Sequence, residues 1–175
     1  MAELGTPFSP GQRNYPHLPP DLSQQISQIP ATSDGGLTYR PCAVSLHNGA
    51  GVDCAYVVEA NAYIRMWGVW PDQDKGKREI KIQDVVCVRE SPFRLPAELA
   101  QVLYNAGESG MGYVVFEIEY RNGSRSGHAS GNAVDFVRLA DGKTTADVVA
   151  VHPHEGRNRQ LLEAPEYSWC LYGIG

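Results

Sequence analysis

Between Leu95 and Tyr120 the chain reads LPAELAQVLYNAGESGMGYVVFEIEY, and its hydrophobic period changes partway from about 3.6 residues to 2. Leu99, Val102 and Leu103, with Tyr104 and Ala106 beside them, form one apolar stripe, so the spacing predicts a helix over 96–106. Pro96 suits a first turn, Glu98 has the favourable sign for the helix dipole, and Gly107 supplies a left-handed stop. Beyond it, Val114, Phe116, Ile118 and Tyr120 alternate with Val115, Glu117 and Glu119. That alternation predicts a strand with one buried face and one mostly solvated face. The turn GESGMG reads as a structural loop. Ser109 has Gly107 before it but Met111 after it, so it does not fit a nucleophile elbow, and a loop that follows a helix cannot cradle phosphate on that helix's N-terminus.

The same period of 2 recurs elsewhere. Cys54, Tyr56, Val58, Ala60, Ala62, Ile64, Met66 and Trp70 share one parity, while Glu59, Asn61, Tyr63, Arg65 and Trp67 share the other. One flat strand of that length would span roughly 55 Å, too long for a chain this size, so the pattern predicts a bend near Ala60–Ala62 or two strands. Glu79–Arg89 resumes strand character, with Asp84 interrupting it, and Ala43–His47 reads as a short strand. Asn122-Gly123 fits a type I′ hairpin turn, or else RNGSRSGHASG is one loop. Asn132–Leu139, Ala146–Val151 and Tyr167–Tyr172 complete the strand candidates, the last as a closing strand.

Residues 1–36 differ from the rest. Pro7, Pro10, Pro16, Pro19, Pro20 and Pro30 are half of the chain's 12 prolines, and ionisable groups are sparse. Leu22, Ile26 and Ile29 nevertheless predict a short helix over 20–29, whose stripe must be covered by the chain's own core or by another molecule, including a second copy. The organisation expected is therefore a proline-rich arm, 1–36, and one globular domain, 37–175. The fold class expected is α+β: a mostly antiparallel, curved sheet of about six to eight strands, barrel- or sandwich-like, with the helix against one face.

At 175 residues, 42% apolar and 20% charged, the chain suits one core. A net charge of −5 with no basic run disfavours nucleic acid as a partner. No stretch has the apolar length of a membrane span, and the N-terminus lacks the basic start and apolar core of a signal peptide, so a cytoplasmic protein is expected. Cys42, Cys54, Cys87 and Cys170 form no C-x-x-C pair.

Two chemistries compete. His152 and His154 lie two apart in VHPHE, and with His128, Asp135, Glu155 or Glu108 they offer the donor types that hold a divalent metal. The pair resembles the paired-histidine strand of the cupin barrel, which implies a metal-dependent enzyme or small-molecule binder; the glycine spacing usual before that pair is absent, and Pro153 interrupts it. His128 with Asp135 is also a candidate acid/base dyad, and no cysteine adjoins a histidine. Against this, Glu59, Tyr63, Arg65 and Trp67 form a mixed aromatic and charged strand face, with Glu117 and Glu119 on another. The leading expectation is a small, acidic, non-catalytic interaction domain without a cofactor, a binder, inhibitor or immunity-like partner of another protein.

Overall fold

The structure, a computed structural model, describes residues 13–174. In chain order it forms α1 (Pro20–Ser27), β1 (Thr32–Asp34), β2 (Leu37–Leu46), β3 (Gly51–Glu59), α2 (Ala60–Trp67), β4 (Arg78–Lys81), β5 (Val85–Arg89), α3 (Ala97–Ala106), β6 (Val114–Tyr120), β7 (Arg125–Ser130), β8 (Val148–Pro153), β9 (Leu161–Glu163) and β10 (Ser168–Tyr172). The class is α+β, as the patterning predicts. The ten strands among the described residues build two sheets and no closed barrel. One sheet runs β1-β2-β3-β10-β4 with β5 also paired to β2; the other runs β8-β6-β7-β9. Neighbours joined by hairpins pair antiparallel, whereas β10 lies parallel to both β3 and β4, and β9 parallel to β7.

Alternation along β3 sets the layers. Cys54, Tyr56 and Val58 enter a core that also holds Trp169 and Leu171 of β10 and Phe116, Ile118 and Tyr120 of β6. Ala55 and Val57 join Cys42, Val44 and Cys170 in a second core closed by Leu22 and Ile26 of α1. The stripe of α1 is thus covered by its own sheet, and the Gln25 amide oxygen accepts from the Val88 N–H at 2.7 Å. Residues 1–12 of the proline-rich arm lie outside the described residues.

The helix and strand of the opening unit form where the periods predict them, with Pro96 as the N-cap. The buried stripe of α3 is Ala100, Leu103 and Tyr104, while Val102 is 42% exposed. Five other segments depart from expectation. The alternation after Cys54 ends at Glu59, whose carboxylate accepts from the N–H groups of Asn61 and Ala62 and caps a helix that left-handed Gly68 terminates. Glu79–Arg89 splits at a 3-10 turn, Ile82–Asp84, so that β4 pairs β10 while β5 pairs β2. Only Gly123 has positive φ in the β6–β7 turn, and the Gly123 N–H donates to Tyr120 O, so the loop is a type I turn with a glycine bulge and not type I′. The last strand does not close an edge but sits centrally between β3 and β4.

Asn132–Leu139 makes no strand, although Ala133, Val134, Phe136 and Val137 are all buried. Its backbone is satisfied by side chains and by another loop. The N–H groups of Val134 and Asp135 donate to the hydroxyls of Tyr104 and Tyr56, and that of Val137 to Phe93 O.

Candidate functional site

A cleft of about 280 Å³ opens where the β1–β2 turn, α2, the end of α3 and the start of the Asn132–Leu139 segment meet. The turn is a two-residue hairpin whose central residues, Gly35 and Gly36, both have positive φ, which places Asp34 at the rim. Trp67 ends α2, and Gly107 turns the chain out of α3 so that Glu108 follows at the mouth. Tyr39 and Tyr104 stack in the wall with ring centroids 5.1 Å apart. Tyr104 is fixed from behind, where its hydroxyl donates to the buried Asp135 and accepts from the Val134 N–H.

Asp34 and Glu108 are the charged residues of this lining, and neither has an ion-pair partner among the described residues. Burial, and then the charge of Glu108, raise the Asp34 carboxyl above its ordinary value. The Tyr39 side chain is 1% exposed, its hydroxyl has no hydrogen-bond partner among the described residues, and burial and the charge of Asp34 push its pKa up. Trp67 Nε1 and Asn132 Oδ1, both covered, likewise lack partners. Two covered, unpartnered polar atoms at one cleft are uncommon in a folded interior, where each costs about 1–3 kcal/mol. The arrangement is a flat, aromatic, acceptor-rich cleft of net negative charge.

The residues singled out from sequence fall in several places. Glu59 caps α2, Arg65 is exposed on that helix, and Tyr63 is fully buried, packed on Trp169 at 5.0 Å with its hydroxyl accepting from Lys77. They share no strand face, because α2 winds the polar parity around a helix; Trp67 alone reaches the cleft. Glu117 is 7% exposed and lies under Arg125 and Arg159, at 3.4 and 3.2 Å. Glu119 is 3.6 Å from Arg125 and 3.5 Å from His152.

The metal donors do not assemble. His128 is buried on β7, stacked on Phe116 and 2.7 Å from Ser126 Oγ; burial lowers its pKa to about 4. His152 sits across β6 from it, 3.6 Å from Glu155. Asp135 is wholly buried and accepts from Tyr104 and Thr32, with Arg94 at 3.5 Å, so it forms no dyad with His128. Among the described residues no three His, Cys, Asp or Glu side chains form a metal-holding group. Burial raises Cys42 and Cys54 to about 12 and about 11, and Cys170 well above its ordinary value, so these thiols are packing groups.

His154 shows a different pairing. At φ 66°, the one positive φ outside glycine among the described residues, its Nδ1 lies 2.7 Å from Ser109 Oγ and its Nε2 3.2 Å from Ala106 O. Ser109 Oγ also accepts from the Val115 N–H at 2.8 Å. The hydroxyl is thereby held as a tie between the glycine turn and the end of β8, and Ser109 does not line the cleft. A wider groove of about 720 Å³, between residues 13–16 and β4, holds two ion-paired cations, Arg13 with Asp72 at 2.8 Å and Lys77 with Asp74 at 2.9 Å, and two charges of opposite sign outside any ion pair among the described residues, Lys81 and Glu79, the latter accepting from the Tyr15 hydroxyl at 3.1 Å.

Sequence reasoning picks out Trp67 and Glu108 of the cleft and misses Asp34, Tyr39 and Asn132. The one local signal for Asp34 is its place before Gly-Gly in a tight turn. No helix among the described residues is long and apolar enough to cross a membrane. No family model matches the chain, and neither does any curated protein or solved structure.

Proposed function

We propose that this protein is a small, acidic, non-catalytic interaction domain that binds a basic partner protein, with the cleft as its docking site. The observation that carries this reading is the pair of carboxylates, Asp34 and Glu108, that line the cleft without a counter-ion. The net charge of −5 adds long-range steering toward a positively charged surface. Trp67, Tyr39 and Tyr104 add the aromatic area on which protein interfaces concentrate their energy. Inhibition or neutralisation of the partner is the role such a binder serves. Four free cysteines, Cys42, Cys54, Cys87 and Cys170, suit a reducing, cytoplasmic setting.

The test is retention of a partner on immobilised wild type against immobilised Asp34→Asn/Glu108→Gln. A basic protein held by the wild type at low salt, released as salt rises, and lost by the double variant supports the reading. A partner held equally by both forms, or turnover of a substrate by the isolated chain, contradicts it.

A further inference from the structure

The cleft's chemistry narrows what it receives, and the following step rests on the interaction reading above. We propose that the cleft is the receptor for a single guanidinium group, the side chain of an arginine presented by the partner. Size comes first. At about 280 Å³ the cleft lies at or below the small end of ligand pockets, roughly 300–1,000 Å³, and so suits one long side chain. Charge comes second, since the charged residues of the lining are two carboxylates without a cation.

Donor count then separates guanidinium from ammonium. The lining holds acceptor oxygens at Asp34, Glu108 and the Tyr39 hydroxyl, the last without a partner among the described residues. A guanidinium carries five N–H donors in one plane and sheds water more readily than an ammonium. Its flat faces also stack on rings, and Tyr39, Tyr104 and Trp67 supply them. Trp67 already accepts a cation in this molecule, Lys77 Nζ, 3.9 Å from its ring centre. Lys77 is outside the cleft lining and is neutralised by Asp74 at 2.9 Å, so it leaves the charge of the cleft itself unbalanced.

The probe is N-acetyl-arginine amide, titrated into the full-length ¹⁵N-labelled protein while the Trp67 indole N–H is followed. N-acetyl-lysine amide and N-acetyl-citrulline amide, the latter a neutral isostere, run beside it. The expected result is saturable movement of the Trp67 signal by the arginine amide and at least tenfold weaker binding of the other two. Asp34→Asn/Glu108→Gln, checked for an unchanged fold by its amide spectrum, raises the arginine dissociation constant at least tenfold. Equal binding of lysine and arginine amides overturns the guanidinium assignment. No binding of any cation by a protein that still retains a basic partner through Asp34 and Glu108 overturns this inference and leaves the interaction reading standing. Loss of both overturns both.

Discussion

On β6, Glu117 is covered by Arg125 and Arg159 at 3.4 and 3.2 Å, whereas Asp34 and Glu108 line the cleft without an ion-pair partner among the described residues. Glu117 is buried and is given two cations in return, whereas Asp34 is half-buried, Glu108 is exposed, and neither is given one. Gly156 shows how much is arranged around Glu117: a Cβ there would lie 3.0 Å from the Glu117 Cγ, and its φ of 104° disfavours a side chain. The loop after β8 folds close because that position is glycine, and Arg159 follows it onto the carboxylate. Where charges are matched within the chain, the arrangement serves the fold. Where acidic groups are gathered and left unmatched, as at the cleft, the proposed docking role has its basis.

This contrast is broken or sharpened by substitution. The largest effect is expected at Asp135, a wholly buried acid held by Tyr104, Thr32 and Arg94. Asp135→Ala strands Arg94, whose side chain is 9% exposed, and the hydroxyls of Thr32 and Tyr104, and costs about 3–5 kcal/mol in urea unfolding. Asp135→Asn, which keeps an acceptor, costs less.

Next is His128. Its folded pKa, about 4, lies below the ordinary 6.5, so between those values the unfolded chain binds more protons and stability rises with pH. The contribution of His128 is complete above pH about 6.5 and falls by about 3 kcal/mol as pH drops toward 4. In His128→Gln that part of the acid limb disappears; an unchanged limb assigns it to other groups.

Glu117→Ala follows, at about 1–2 kcal/mol, reduced because Arg125 and Arg159 are 35% and 45% exposed. The smallest change is expected for Asp34→Asn/Glu108→Gln, within about 0.5 kcal/mol of wild type, because it removes two like charges without ion-pair partners and leaves a glutamine amide oxygen to accept from the Gly112 N–H, which donates to Glu108 at 3.3 Å. A loss there as large as that of Glu117→Ala ends the contrast, since the cleft carboxylates would then be structural.

Local pattern carries α3 and β6, where one period governs both backbone and burial. It fails for α2 because Ala60, Tyr63, Ile64 and Trp67 satisfy a helical stripe while the same stretch also alternates. The deciding residue is Glu59, whose role as a cap shows only when its carboxylate is seen on the Asn61 and Ala62 N–H groups. Asn132–Leu139 alternates like a strand, yet its N–H groups go to Tyr56 and Tyr104, residues distant in sequence. The cleft is hidden for the same reason. Asp34, Trp67, Glu108 and Asn132 come from four separate segments, and no spacing rule connects them. His152 and His154, close in sequence, diverge because the chain turns left-handed at His154, sending one to Glu119 and the other to Ser109.

The most direct measurement is the Asp34 carboxyl titration, followed by ¹³C NMR in the free protein and in saturating N-acetyl-arginine amide. Burial, and then the charge of Glu108, hold the Asp34 pKa above its ordinary value in the free protein, and a bound guanidinium is expected to bring it down. An Asp34 pKa that does not move when the arginine amide is added would contradict the account.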